Sequence, residues 1–418
     1  TNSASPSRPE MAIYHGHRIL LTCIFLFCGL VGINLAMAPE VIADTRISGS
    51  LKSYLVLQDD INISGMMILE NQTQLQNGIR LIFDHVEEHY ALEVHYELFS
   101  VLRRSSTTDI SLSTMPVKRE AYRITDRDGT LASQPDWAIF GNLDRANIKW
   151  QRDWGDLTVG RQPITFGAAR IINPTDVFLP FNHQTLNTEY RIGVDAIRLQ
   201  RPLGTLSELD IGVILGPDAD PNVSAAYMQF MVHAAGNDLS MTIAQFSNHQ
   251  QLGVGTQSAI GQLGFWFEVA AVSGDDSYTR LSTGVDYAFN EDWLFMVETH
   301  FNSAGAESAN DYGQIRGSAP FRRGEVYLSG RRYLIPVLSW HLSPLAAVSV
   351  QSIINLSDRS AFTSLTATRN VTQNGHMDVG IQWFTGDTSN FTPTFNLQAG
   401  SEFGDSPTVV FGSARWYF

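Results

Sequence analysis

The amino-acid sequence predicts an all-β protein, built as a single antiparallel β-barrel of about 18 strands that crosses a membrane. Three observations point to this fold. Segments of about ten residues with alternating apolar and polar side chains recur along the chain. The one long apolar run lies near the N-terminus, so no later segment has the length and apolarity of a membrane-spanning helix. The chain ends on an alternating aromatic stretch, "SPTVVFGSARWYF".

The alternation is clearest in five stretches of sequence. In 90–100, for example, Leu92 and Val94 alternate with Glu93 and His95, which is the period of a strand with one apolar and one polar face. The other four stretches are 278–289, 293–302, 331–342 and 376–384. A soluble β-sandwich uses the same pattern. Charges on the polar faces of many strands, together with aromatic residues near strand ends, favour a barrel with a water-filled lumen.

Strands counted in this way run from 44–57 to 407–418 and number about 18, with about 16 as the alternative because 247–262 and 356–376 are poorly patterned. An even number of strands places both ends of the barrel chain on the same side of the membrane. Short turns such as 154–156 and 290–292 alternate with longer polar segments, as expected for short periplasmic turns and long extracellular loops.

The N-terminal residues predict a signal peptide that is removed. A basic segment, Met11 to Arg18, precedes the apolar run from Ile19 to Ala36, and cleavage after Ala43 would leave the barrel as residues 44–418. Residues 1–10 lie upstream of this start methionine, and an uncleaved membrane anchor is the alternative. Because Cys23 and Cys28 both fall within residues 1–43, the barrel has no disulfide and no thiolate chemistry.

Several functional classes are disfavoured by the composition. The net charge is −14 and no basic cluster is present, which argues against nucleic acid as a partner. The chain has no glycine-rich phosphate loop, no GxSxG and no HExxH. His85 and His89 lie in a predicted turn, so they lack the helical spacing of a metal site. We therefore expect no enzyme, no cofactor and no metal.

The C-terminal stretch predicts the closing strand of the barrel. Trp416 and Phe418 lie on its apolar face, and closure would pair this strand with the first strand, between Asp44 and Gln58. We therefore single out Trp416 and Phe418 as the barrel-closure and assembly signal.

Long segments between strands are the candidates for narrowing the pore: Arg103–Phe140, Ala169–Tyr190, Ala304–Tyr327 and Gly386–Ser406. Upstream of the segment Ala169–Tyr190, the side chains of Arg145, Asn147 and Lys149 share one face of a strand, and this face would point to the lumen. Gly160 is a candidate bulge that turns Arg161 inward. A turn at Asn173 and Pro174 would leave Asp176 to pair with Arg161 or Arg170. Such a cluster either sets the electric field of a constriction or acts as a structural clamp.

Leu143 to Phe181 resembles a pattern shared by outer-membrane porin-like barrels related to the alginate-export type. The matching residues are Arg145, Gly160–Gln162, Phe166, Gly167, Arg170 and Asn173–Pro180. The resemblance implies an outer-membrane barrel whose C-terminus is read by the barrel-assembly machinery. It does not imply a particular substrate.

Together these features predict a bacterial outer-membrane channel, a porin, for passive passage of small polar solutes. A non-conducting barrel that acts as a scaffold for a partner or as a surface-binding protein is the alternative. The predicted lumen face carries charges of both signs. Arg80 and Lys149 are positive, whereas Glu93, Glu97 and Asp378 are negative. Such a mixture favours polar or zwitterionic solutes.

Expected partners are outer-membrane lipid, the assembly machinery, the solutes and further copies of the chain. The candidate pore residues are Arg145, Lys149, Arg161, Arg170, Asp176, Arg280, Asp286 and Glu298.

Overall fold

The structure is a computed structural model, and it describes residues 41–42, 45–63, 66–69, 71–104, 122–125, 129–178, 186, 189–391 and 397–418. Apart from residues 41–42, the predicted signal peptide lies outside the described residues. Among the described residues, no helix is long and apolar enough to span a bilayer, and no group of three or more His, Cys, Asp or Glu side chains is placed to hold a metal ion.

The chain forms a closed antiparallel barrel of 18 strands, which confirms the predicted fold and count. Each of these 18 strands pairs with the next one, and the last strand pairs with the first. A further strand, Gly129–Gln134, pairs with residues 137–141. The strands are β1 Thr45–Gln58, β2 Gln72–Val86, β3 Tyr90–Arg104, β4 Trp137–Arg152, β5 Gly155–Gln162, β6 Val194–Gly204, β7 Ser207–Leu215, β8 Ala225–Ala234, β9 Asn237–Phe246, β10 His249–Ile260, β11 Leu263–Gly274, β12 Tyr278–Ala288, β13 Trp293–Asn302, β14 Arg332–Ser343, β15 Ala346–Asn355, β16 Ala361–Asn370, β17 Gly375–Thr385 and β18 Val409–Tyr417.

The strands present apolar side chains outward and polar side chains to the lumen. In β2, Gln74, Gln76 and Arg80 are buried inside the barrel, whereas Ile79 and Leu81 are exposed on its outer surface. This arrangement is the reverse of a soluble protein and suits a surface that contacts lipid. Closure pairs the backbone groups of every strand, so the barrel leaves no open sheet edge in the hydrocarbon.

Closure takes place where the sequence predicts it. The register of β18 with β1 runs from Val409 opposite Gln58 to Tyr417 opposite Ser50. Beyond it, Gly49 N–H donates to Phe418 O at 2.9 Å and Phe418 N–H donates to Gly49 O at 3.1 Å. A Cβ atom on Gly49 would lie 2.6 Å from the Phe418 ring, so only glycine leaves room for that ring.

The two ends of the barrel differ in the length of their connections. One end carries only short turns, such as 153–154, 205–206, 235–236 and 344–345. The other end carries the long segments, including 303–331 with helices α1 Tyr312–Gly317 and α2 Ala319–Arg322. The alternation of lengths is incomplete, because the connections at 247–248 and 275–277 on the long-loop end are as short as the turns opposite.

One predicted strand, 156–168, is too long, since β5 ends at Gln162. The next residue, Pro163, has no N–H to donate to the ladder. The chain leaves the wall there and turns into the lumen.

Candidate functional site

Residues 163–178, called the inner loop below, lie inside the barrel against its wall. Ile164, Phe166 and Phe178 are buried there with wall residues of β6 to β12 in one apolar cluster. Phe166 packs on Tyr227 of β8 with ring centroids 4.8 Å apart. The inner loop therefore takes up part of the lumen and narrows it.

Glu268 of β11 holds the middle of the inner loop. Its side chain is fully buried and accepts hydrogen bonds from the backbone N–H groups of Ala168 at 2.6 Å, Ala169 at 2.8 Å and Thr175 at 2.7 Å. The Thr175 hydroxyl donates to it at 2.6 Å. One wall carboxylate thus satisfies N–H groups that would otherwise be unpaired inside the barrel.

Glu298 of β13 holds residues 170–172 of the inner loop in the same way. It accepts from the N–H groups of Arg170, Ile171 and Ile172 at 3.0, 3.2 and 2.8 Å. Trp266 Nε1 donates to it at 2.8 Å. Wall side chains also donate to the loop carbonyls: Gln257 to Ala168 at 2.6 Å, Gln251 to Thr175 at 2.8 Å and Ser282 to Ile172 at 2.7 Å.

A charged cluster lines the opposite part of the wall, on β1 to β4 and β18. The register of β3 and β4 shifts between His95 and Tyr96, and this irregularity buries both Asp144 and Arg145. Arg80 reaches Asp144 at 2.8 Å and Glu97 at 2.7 Å. Arg145 contacts Asp144 at 2.9 Å. Each buried cation in this group therefore has a carboxylate partner.

Residues 189–191 lie over this charged cluster. Glu189 accepts from Lys52 Nζ at 2.6 Å, from the Tyr417 hydroxyl at 2.6 Å and from Arg415. Burial alone would raise the pKa of Glu189, but the hydrogen bonds from Lys52 and Tyr417, with the positive charge of Lys52, lower it to about 2. The Tyr190 ring lies 4.0 Å from the Arg80 guanidinium carbon and 5.1 Å from Lys52 Nζ. Glu189 therefore stays ionised down to strongly acidic pH.

No protein-family model and no curated protein matches the chain by sequence. Solved structures do match it along most of their length. Acinetobacter baumannii OccAB4 matches with a TM-score of 0.57 at 9% identity, over 90% of this chain and 98% of that one. Pseudomonas aeruginosa OprD matches with a TM-score of 0.55 at 12% identity, over 92% and 97%. P. aeruginosa OpdK with vanillate matches with a TM-score of 0.55 at 9% identity, over 89% and 98%.

The chain has the fold of these outer-membrane proteins. At such low identity the likeness concerns the barrel, and it confirms the predicted porin-like fold. These OprD-type neighbours do not support the predicted relation to the alginate-export type.

The contacts of the inner loop correct two predictions about its residues and the neighbouring strand. Asp176 pairs with Arg191 at 2.5 Å, so the predicted pairing with Arg161 or Arg170 is wrong. Gly160 does not form a bulge, because the register of β5 is continuous with both neighbours. Its φ of +118° instead lets the backbone pass Ala146 O, which a Cβ atom would approach to 2.3 Å.

The predicted pore residues fall into two groups. Arg145, Arg161, Asp176, Arg280 and Glu298 are buried. Arg161 is held by Asp195 at 2.8 Å and by Leu143 O at 2.9 Å. Arg170 is different: its side chain is 51% exposed inside the barrel, 3.8 Å from Asp286, and its guanidinium carbon lies 5.7 Å from the Trp266 ring centroid. Lys149 is partly exposed and pairs with Asp156 at 2.7 Å, beside the short turn 153–154.

Asp144, Glu189 and Glu268 are not among the site residues predicted from the sequence. By strict alternation from Arg145, Asp144 would face lipid, and only the register shift turns it inward. Glu189 lies outside any strand. The lone carboxylate of Glu268 in the apolar strand "LGFWFEVAAVSG" is the one signal that pointed to a buried anchor.

Glu402 joins the long segments 303–331 and 386–408 near the outer mouth. It accepts from the Tyr333 hydroxyl at 2.5 Å, from Asn355 Nδ2 at 2.9 Å and from Ser329 N–H. Its own N–H donates to Asp358 at 2.7 Å. Burial raises the pKa of Glu402 above its ordinary value of 4.5, more than the hydrogen bonds from Tyr333 and Ser329 lower it.

This raised pKa predicts a pH dependence of stability. The folded state favours protonated Glu402, so its contribution to stability is full below pH 4.5 and is lost as the pH rises through the raised folded pKa. The thermal midpoint of the wild type should therefore fall more steeply than that of Glu402→Gln as the pH rises above 4.5. Parallel curves for the two proteins, followed by circular dichroism in detergent, would contradict this.

Proposed function

We propose that the protein is a channel of the bacterial outer membrane through which small polar solutes diffuse. The observation that carries this proposal is the exposed guanidinium of Arg170, which lies inside the barrel and beside lumen-facing Asp286. Water therefore reaches the narrowed part of the lumen. The inner loop restricts the passage but leaves charged groups accessible to a solute.

The charges on the wall of this passage favour the passage of polar or zwitterionic solutes. Arg170 and Lys149 contribute positive charge, and Asp286 and Glu189 contribute negative charge, on side chains that solvent reaches. A wall with both signs close together attracts dipolar molecules and disfavours a single ionic class. The buried residues Arg145, Arg161, Asp176, Arg280 and Glu298 have a positioning role, since each is engaged in holding a loop or the wall.

No catalytic role is part of this proposal. The Ser282 hydroxyl lies 2.9 Å from His300 Nδ1, but it is fully buried and donates its hydrogen to Ile172 O, so this pair serves to hold the inner loop. The relation to the alginate-export type and the assembly into oligomers stay predictions. One of the similar structures is of OpdK with vanillate. Vanillate is an aromatic carboxylate, and it should be included among the solutes tested.

Liposome swelling tests the proposal. Vesicles that contain the refolded barrel should swell in an iso-osmotic zwitterionic amino acid or a small sugar, and should not swell in a large dextran. Absence of swelling in every small solute, with a barrel shown to be folded by heat modifiability, would overturn the channel and favour the non-conducting alternative.

Phe418 is proposed to act in assembly through the barrel-assembly machinery. Deleting Phe418 removes both backbone hydrogen bonds to Gly49 and the ring that lies over that glycine. The amount of folded barrel in the outer membrane of expressing cells should fall severalfold. Phe289→Ala, which removes an exposed aromatic at a short turn, is the matched control. Unchanged surface yield on deletion of Phe418 would refute the role.

A further inference from the structure

Arg280 of β12 is a buried cation with unused hydrogen-bond donors. Its side chain is 2% exposed. One terminal nitrogen donates to the backbone oxygen of Glu325, and the Tyr278 ring centroid lies 5.9 Å from the guanidinium carbon. Among the described residues, Nε and Nη2 have no acceptor. Leaving such donors unpaired away from water is costly, so a partner of Arg280 is expected at this place.

A small cavity lies beside Arg280. Its volume is about 10 Å³, which is room for one water molecule or one monatomic ion. Ile172 of the inner loop lines it on one side, His300 and Asn302 of β13 on another, and residues 325–328 on a third. The cavity is therefore the place where the inner loop and the segment 303–331 meet on the barrel wall.

Among the described residues, no carboxylate oxygen is in contact with the Arg280 guanidinium. The Glu325 carboxylate accepts from the Tyr278 hydroxyl at 2.8 Å and pairs with Arg323. His300 Nδ1 lies 2.9 Å from Ser282 Oγ, whose hydroxyl donates to Ile172 O. Since Arg323 balances Glu325, the positive charge of Arg280 remains without a carboxylate in contact. In a poorly hydrated site this charge attracts an anion more strongly than it would in water.

We propose that this cavity binds one halide ion, chloride under ordinary conditions, through Nε and Nη2 of Arg280. Room for a single water-sized body favours a monatomic anion over phosphate, sulfate or a carboxylate. The ion neutralises the guanidinium and fixes Ile172 and residues 325–328 against β12 and β13. Chloride thus stabilises the packing of the inner loop and of the segment 303–331 on the barrel wall. This inference does not depend on which solute passes through the barrel.

Crystals of the barrel grown in bromide test the proposal directly. We expect an anomalous difference peak in hydrogen-bond contact with Arg280 Nε and Nη2 in the wild type. The peak should persist in Arg369→Gln, which removes an exposed arginine on the outer side of β16, and should be lost in Arg280→Gln. A wild-type map with no anomalous peak and a water at this position would overturn the halide site, whether or not Arg280→Gln folds.

Thermal unfolding provides the second readout. The midpoint of the wild type should be higher in chloride than in gluconate at equal ionic strength, because only the folded state holds the ion. Arg369→Gln should keep this difference and Arg280→Gln should lose it. Equal midpoints of the wild type in both salts would count against the site.

Discussion

Glu268→Ala is expected to raise single-channel conductance, because it releases the inner loop from the wall. The substitution removes the acceptor for three backbone N–H groups and one hydroxyl. Each buried donor left unpaired costs about 1–3 kcal/mol, so the docked loop loses on the order of 3 kcal/mol or more and moves toward solvent. The lumen then widens, and current noise increases as the loop moves. Recordings in planar bilayers measure both effects.

Glu93→Ala is the matched control for this change. Glu93 is exposed on β3 and bonds Asn147 at 3.1 Å, so its loss changes the charge equally without freeing the inner loop. Equal conductance changes in the two variants would show that charge, and not loop release, is responsible. No change in Glu268→Ala would show that the inner loop does not restrict the passage.

Arg170→Glu is expected to shift the ion preference of the channel toward cations. Arg170 is the most exposed of the predicted pore cations and lies on the inner loop, which takes up part of the lumen, so a charge reversal there acts on passing ions. The reversal potential under a potassium chloride gradient gives the preference. Arg369→Glu makes the same change on the lipid side of β16 and should leave the potential unchanged. A shift of similar size in Arg369→Glu would contradict the assignment.

Arg145 is less suited to such a test. It is buried and contacts Asp144 at 2.9 Å, and it donates to Arg191 O at 2.8 Å. A glutamate at 145 would place two carboxylates side by side inside the wall, and loss of folding would hide any effect on selectivity.

The strands could be predicted from the sequence because their signal is local. Period-two alternation appears within each segment, as in Leu92 to His95, and the closing pair of β18 and β1 follows from the requirement that a barrel have no edge. Even β10, in the poorly patterned stretch 247–262, alternates buried and exposed side chains in register with β9.

The interior could not be predicted in the same way, because it depends on contacts between distant residues. Glu268 holds backbone groups roughly a hundred positions away in sequence, and no local pattern distinguishes such an anchor from any lumen carboxylate. The inward position of Asp144 depends on a register shift that only the paired strand reveals. For the same reason the sequence does not reveal the arginine that pairs with Asp176, because Arg191 follows it by 15 positions and lies beyond the inner loop.

Single-channel recording of the refolded barrel, residues 44–418, in a planar bilayer tests the central claim most directly. If the lumen is an open polar passage narrowed by the inner loop, the protein should give stable, discrete current steps in potassium chloride. A folded, heat-modifiable barrel that inserts into the bilayer and gives no steps would contradict the account.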